Sequence, residues 1–501
     1  MRTATERPAG RSDHRDRLLA GLIAVGLLGL FVAVQRGRIS TYDSKIALAT
    51  ARAIADGHLH LDPAADGYQR HVPYSHYGIG MPLAILPLYV LQQALHLSPN
   101  TLVTLTSPLL LAVTGAVLYL YLSGRELQWS RRLSLAAALV FGALTMALQI
   151  SQDLFGEPGV ALSTALLVLG LIRWRSGRQS GPWLAGLGIG GGVLFRSDSL
   201  PLLGVGLLLL PAFVPLRRLQ REPWALLGLA LPVVAALAWT SWYAMLRDGT
   251  LIPQVYGGSF TTPLSKGLYG LLLSHGKSLF VFNPFLLLAI PGAVAFWRRD
   301  RAVTTLLAVL VIARVLMFAR WTDWFGGVAW GPRFLMPTVV PLALLTVYAA
   351  SRIPRLRPTL RVPAALATVI LATAGAVVSV ASVWVWQGSS WNWSTYTPRG
   401  LSGQALQEFK TQRQNDYFYS FDNNAIAHNL RRMTQPSRYF PLQHFRGGPN
   451  LVGLLALAVA GLASLAAWLL GQERIPPPVA SRSPPEQPGQ RPRAPADTRR
   501  E

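Results

Sequence analysis

No cysteine occurs among the 501 residues. This excludes a disulfide framework, a cysteine-bound iron–sulfur cluster and any Cys-ligated zinc site. Charge is scarce as well. Asp, Glu, Lys and Arg together make up 14% of the chain, against about 25% in a soluble domain. Acidic residues are the scarcer half: 22 against 46 Lys plus Arg, a formal net charge of +24. No Gly-rich run precedes Gly276-Lys277-Ser278 at Walker spacing, so that segment is not a nucleotide-binding loop. No internal repeat is visible, which counts against an inverted-repeat transporter.

The chain is instead 51% apolar. Runs long enough to span a bilayer lie at 18–34, 101–123, 132–150, 157–174, 182–196, 200–215, 223–245, 278–297, 302–319, 334–350, 362–387 and 450–470. The sequence predicts an all-α, polytopic membrane protein with about 12 transmembrane helices. Arg2, Arg7, Arg11, Arg15 and Arg17 precede the first run, and Gln35-Arg36-Gly37-Arg38 follows it in place of a cleavage site. It therefore reads as an uncleaved helix with its N-terminus in the cytoplasm. Basic loops at 124–132, 173–181, 217–222, 298–301 and 352–361 all fall inside on alternation, as does each tail. The loops 35–100, 151–156, 197–199, 246–277, 320–333 and 388–449 fall outside. Counting 82–97 as a further span would invert every later loop, so it is expected to lie along the outer interface or to re-enter.

Four regions follow: a cytoplasmic tail over 1–17, a transmembrane core over 18–350, a C-terminal transmembrane region over 351–470, and a disordered cytoplasmic tail over 471–501. The localisation expected is the cytoplasmic (inner) membrane. The arginines are spread over separate loops without a continuous basic face, so nucleic acid is not an expected partner. Membrane lipids are.

Five polar groups stand at the outer ends of the runs, where an ionisable side chain needs a reason. Thr41-Tyr42-Asp43-Ser44-Lys45 opens a short helix over 46–55 that Asp56-Gly57 ends. Asp43 either caps that helix or serves a site, and the two roles are compatible. Gln152-Asp153-Leu154-Phe155-Gly156-Glu157-Pro158 sets two carboxylates about one turn, as caps or as site residues. Phe195-Arg196-Ser197-Asp198 offers a structural bridge or a guanidinium for phosphate. Ser274-His275-Gly276-Lys277-Ser278, leading into Asn283-Pro284, offers an anion site or a snorkelling lysine. The stretch from Trp321 through Asp323, Trp324 and Trp330 to Arg333 is an aromatic belt or a sugar platform. The spacing of His58, His60, His71 and His76 matches no metal site, and Gly186–Gly192 reads as helix packing within a span.

In order and sidedness these motifs resemble the GT-C superfamily of membrane glycosyltransferases, nearest the branch of protein O-mannosyltransferases (family 39) and lipid A aminoarabinose transferases. The resemblance rests on Tyr42-Asp43, on Tyr74-Ser75-His76-Tyr77-Gly78-Ile79-Gly80-Met81-Pro82-Leu83, on Phe155-Gly156-Glu157-Pro158, and on Trp324-Phe325-Gly326-Gly327 through Trp330-Gly331-Pro332-Arg333-Phe334. It covers roughly residues 15–350. It implies interfacial helices in the first outer loop and a polyprenyl-phosphate sugar donor. It further implies inverting transfer to an acceptor hydroxyl on the outer face.

On that resemblance Asp43 is the general base, Glu157 with Asp153 orients base or acceptor, and Arg333, Arg196 and Lys277 hold the donor phosphate. Tyr77, His76, Trp324 and Trp330 line the sugar or lipid pocket. Many members carry two adjacent acids in the first loop, whereas Ser44 follows Asp43 here. A divalent metal is therefore possible by family but not supported. The aromatic residues Trp391, Trp393, Tyr396 and Tyr417–Phe421 suit an outer-face cap, anchored by Trp384 and Trp386. The acceptor, whether protein, lipid or polysaccharide, is not readable. A lipid-linked sugar flippase or polysaccharide transporter is the alternative. It would need charges such as Arg196, Asp198 and Arg314 along a two-sided path. A non-catalytic scaffold would tolerate loss of Asp43 and Glu157.

Overall fold

The computed structural model describes residues 9–62, 73–124, 126–253, 258–327, 329–385, 400–433 and 451–471. The expectations placed on His71, Trp386, Trp391, Trp393, Tyr396 and the tail after Gly471 lie outside these residues. Among the described residues every regular element is helical. Each of the twelve apolar runs coincides with a helix or a broken helix. Among the described residues seven helices are long and apolar enough to cross a membrane, from His14–Ala33 to Pro358–Trp384. The protein is a polytopic membrane protein.

The shorter runs are broken for local reasons. The run at 132–150 divides into Arg131–Ala143 and Ala147–Ile150. The buried Asn283 side chain accepts from Met146 N at 2.7 Å and supplies the partner that the break removes. In a bilayer, interrupted backbone is tolerated only when protein satisfies it in this way. The run at 278–297 divides at Asn283-Pro284, because proline cannot continue the hydrogen-bond ladder of the preceding turn.

Glycines set the tightest helix contacts. Ser180–Phe195 packs between Glu157–Arg175 and Pro223–Asp248. A Cβ on Gly188 would stand 2.5 Å from Leu167 N on the first neighbour. On the other face, Gly186 and Gly190 are one turn apart, and a Cβ on Gly190 would stand 2.4 Å from Pro232 O. Small residues one turn apart let two backbones approach closely.

The two ends of the bundle differ in chemistry. At one end arginines pair with the few carboxylates across loops: Arg131 with Asp16 (2.6 Å), Arg178 with Glu126 (2.9 Å) and Arg175 with Asp300 (2.5 Å). Asp300 also caps the Arg301–Arg320 helix through Val303 N. Glu157–Arg175 and Arg301–Arg320 each run from this end to the opposite one, where Glu157 and Trp321–Asp323 lie.

At that opposite end the first loop forms two helices, Tyr42–Ala55 and Gly80–Ala94. Ala47, Leu48 and Ala51 pack on Met81 and Ile85 and anchor the pair on Val103 and Leu154. Leu83, Val90, Leu91 and Leu95 stay exposed, as an interfacial helix requires. The turn 151–153 is stitched to the end of the first helix by Gln35 Nε2 on Ser151 O and Gln152 Nε2 on Val34 O, both 2.5 Å. The last helix, Leu451–Leu470, packs along the first.

Gly190→Ala is expected to destabilise the protein by about 1–3 kcal/mol through overpacking. Gly204→Ala, where a Cβ meets nothing within 4 Å, is expected to be near neutral. Melting of the two variants in detergent measures the difference.

Candidate active site

The Tyr42–Ala55 helix is capped by Thr41, whose hydroxyl accepts from Ser44 N at 3.4 Å. Asp43 is therefore not the cap, and its carboxylate is free to face the rest of the protein. Tyr77 donates its hydroxyl to Asp43 Oδ1 at 2.6 Å, and Arg333 Nη1 donates to Oδ2 at 2.7 Å. Burial alone pushes the Asp43 carboxyl up. The Arg333 guanidinium, the Tyr77 hydroxyl and the charge of Arg196 hold it below its ordinary value of 3.8. Asp43 is thus a carboxylate throughout the physiological pH range.

From Arg333 the charges continue inward. Its Nε stands 3.8 Å from Glu157 Oε1, which also accepts from Arg196 Nη1 at 2.8 Å. Arg196 in turn grips Asp198 through Nε at 2.9 Å and through Nη2. Arg314 Nη2 lies 3.8 Å from the other Asp198 oxygen, while its Nε donates to Phe334 O at 2.6 Å. Three carboxylates and three guanidiniums alternate. The cluster is neutral as a whole, which makes burial of six charges at the end of an apolar bundle tolerable. Glu157 is fully buried at 0% side-chain exposure, whereas Arg333 and Asp43 keep 13% and 21%. Glu157 therefore stands behind the two arginines and fixes them, and the cavity meets Arg333 and Asp43.

A cavity of about 340 Å³ opens at this cluster, within the range of about 300–1,000 Å³ typical of small-molecule sites. Asp43, His76, Tyr77, Arg196, Asp198 and Arg333 supply polar lining. Phe260, Phe318, Trp321, Phe325 and Phe334 supply its aromatic lining, and Asp323 lines it as well. Phe334 stacks on Phe318 at 4.6 Å and lies under both Arg196 (4.8 Å) and Arg333 (5.1 Å).

The structure places the other sequence candidates elsewhere. Lys277 is fully buried, and its Nζ donates to Gly327 O (3.0 Å), Ala329 O (2.8 Å) and Gly331 O (3.2 Å). Burial lowers its pKa well below the ordinary lysine value, yet three carbonyls give one acceptor to each proton of an ammonium. It clamps the loop that ends in Arg333 and has no donor left for a phosphate. Trp324 is buried against Phe325 and Phe418, and Trp330 against Phe282. Neither lines the cavity; Trp321 does. Asp153 points its charge at Arg36 rather than at Asp43, and its carbonyl accepts from Ser107.

The segment 400–433 supports the site from behind. Gly276 N donates to Phe418 O at 2.9 Å, His275 meets Tyr419 O at 3.1 Å, and Phe418 packs on Trp324 and Phe325. Among the described residues no group of three or more His, Asp or Glu is arranged to hold a metal ion. The Arg196–Asp198 bridge was one of the sequence expectations, whereas Arg314 on the other Asp198 oxygen and Phe334 as the platform under Arg196 and Arg333 escaped sequence reasoning. Arg314 inside an apolar helix is itself the signal that a buried acid must be near.

Lys277→Met breaks no ion pair but leaves the carbonyls of Gly327, Ala329 and Gly331 without their lysine donor, at about 1–3 kcal/mol for each buried one. A clear fall in melting temperature is expected, with Lys266→Met, an exposed lysine, near neutral. A phosphate-binding Lys277 would instead leave the melting temperature of the unliganded protein in place.

No protein-family model matches the chain, and no curated protein matches it in sequence. Similarity appears in structure. The apo crystal structure of ArnT from Cupriavidus metallidurans superposes with a TM-score of 0.52 at 13% identity, over 90% of this chain and 76% of that one. The same protein bound to undecaprenyl phosphate gives 0.49 at 13% identity over the same shares. Archaeal oligosaccharyltransferase AglB from Archaeoglobus fulgidus, in complex with an inhibitory peptide and a dolichol-phosphate, gives 0.46 at 13% identity over 78% and 59%. The chain has the helical fold of ArnT.

Proposed function

We propose that the protein transfers a sugar from a polyprenyl-phosphate donor to an acceptor hydroxyl, with inversion, at the outer face of the cytoplasmic membrane. The observation that carries this reading is the Asp43–Arg333 pair, a carboxylate and a guanidinium 290 positions apart that face one cavity in this fold. The ArnT crystal structure bound to undecaprenyl phosphate holds the kind of lipid phosphate that the transfer proposed here would release.

The chemistry divides between the two partners. Arg333 and Arg196, fixed from behind by Glu157, present planar guanidiniums to an anion. A donor phosphate draws Arg333 off Asp43 and stabilises the charge that grows on the leaving oxygen. Release of Arg333 removes the strongest interaction that lowers the Asp43 pKa and strengthens it as a base. The acceptor oxygen then attacks the anomeric carbon, the bond from that carbon to the phosphate oxygen breaks, and the acceptor proton passes to Asp43. Tyr77 keeps the carboxylate oriented. Arg196, Asp198 and Arg314, which a transporter would need along a two-sided path, all belong to this one self-paired cluster.

Sidedness follows from the ends of the helices. The arginine-rich end is assigned to the cytoplasm and the cavity end to the outside. The chain lacks cysteine, so single-cysteine variants report cleanly. In intact cells a membrane-impermeant maleimide is expected to label Thr250→Cys and to spare Gln179→Cys; the reverse pattern overturns the orientation.

Asp43→Asn is expected to lower kcat by about 10²–10⁴-fold while the protein still folds and inserts. Transfer of radiolabelled sugar from a panel of polyprenyl-phosphate donors into a membrane acceptor fraction measures it, and a fully active variant removes the mechanism. Tyr77→Phe deletes a hydrogen bond that lowers the Asp43 pKa. The Asp43 pKa rises, so the acid limb of kcat/KM moves to higher pH. A pH profile unchanged from wild type contradicts the assignment.

A further inference from the structure

Asp323 differs from the other carboxylates of the cavity. Asp43 and Asp198 are each paired with arginine. Asp323 is exposed, and among the described residues no hydrogen bond or ion pair engages its carboxylate. Its backbone, in contrast, is fixed on both sides. Thr322 N and Oγ1 donate to Ser259 O at 2.9 and 2.7 Å, and Thr262 Oγ1 donates to Trp321 O at 2.8 Å. Gly326 N donates to Asp323 O at 2.9 Å. The two glycines that follow take left-handed φ of 73° and 65°, which returns the loop towards Arg333. A Cβ on Gly326 would stand 3.0 Å from Arg333 Cγ, so the loop closes against the phosphate-facing arginine itself.

Aromatic side chains share the cavity lining with Asp323. Phe260 meets Trp321 edge-on at 5.1 Å, and Phe325 is backed by Phe418 at 5.1 Å. Phe260, Trp321 and Phe325 line the same cavity as Asp323. A charged acceptor with two oxygens suits two adjacent hydroxyl donors, and each such bond is about twice as strong as a neutral one. Aromatic faces suit the apolar C–H face of a sugar ring.

We propose that Asp323, Trp321, Phe325 and Phe260 form a sugar-ring subsite, in which the Asp323 carboxylate accepts from two adjacent hydroxyls of the donor sugar. The proposal rests on the reading of the cavity as a polyprenyl-phosphate sugar site. It makes Asp323 a specificity-determining residue and leaves proton transfer with Asp43. The neutral arginine–carboxylate cluster then serves the phosphate, and Asp323 with its aromatic neighbours reads the sugar.

Binding to the purified full chain in nanodiscs separates the two claims. The probes are undecaprenyl phosphate alone and undecaprenyl phosphate carrying glucose, galactose, mannose or arabinose. In wild type the best sugar-bearing lipid is expected to bind about tenfold or more tightly than the bare lipid. In Asp323→Ala that advantage is expected to shrink to within about twofold, with binding of the bare lipid unchanged. Phe260→Ala, at a half-exposed ring, is expected to lose part of the advantage and offers a second variant on a different loop. An Asp323→Ala protein that keeps the full advantage overturns the subsite, as does a wild type to which no sugar adds affinity. A wild type that binds the bare lipid no more tightly than Arg333→Gln does overturns the phosphate site on which the proposal stands.

Discussion

The ion pair between Asp43 and Arg333 holds the rest of the site in place. It joins the first outer helix to the start of a deeply buried span 290 positions later. Each partner is held from a second direction, Asp43 by Tyr77 and Arg333 by the charge of Glu157. Glu157 begins its own helix, and its second guanidinium partner, Arg196, ends the next one. Four segments distant in sequence therefore meet through charge at one end of an apolar bundle. Removing Glu157, Arg196 or Asp198, the most buried members, leaves a buried partner uncompensated, which is far more costly than breaking a surface bridge.

The loop 321–333 shows how such a cluster is kept open to a ligand. The Thr262 and Thr322 hydroxyls, donating to Trp321 O and Ser259 O, fix its beginning, and the Lys277 ammonium gathers three of its later carbonyls. The buried Trp324 and Trp330 side chains weight it inward. The polar groups left facing the cavity are thus positioned by a loop whose own hydrogen bonds are satisfied elsewhere. A preorganised site of this kind needs little rearrangement when charge develops in a transition state.

Much of this was legible in the sequence. Apolar runs and arginine-rich loops gave the helices and the two chemically distinct ends. The cost of charge at a span edge drew attention to Asp43, Glu157, Arg196 and Arg333 before any contact was visible. The partners of these residues were not legible, because pairing across hundreds of positions leaves no local pattern. Lys277 looked like an anion ligand because its three carbonyl acceptors belong to another loop. Trp324 and Trp330 carried the same local signal as Trp321, and only packing separates the two that face inward from the one that lines the cavity. Thr41 rather than Asp43 caps the first-loop helix, a shift of two residues that frees the carboxylate for Arg333.

The account turns on whether Arg333 leaves Asp43 for a phosphate. An experimental structure of the full chain with undecaprenyl phosphate tests this most directly. The expected result is a phosphate against Arg333 and Arg196, with the Asp43–Arg333 bond opened and Glu157 still behind the arginines. A phosphate bound elsewhere, with that bond intact, would contradict it.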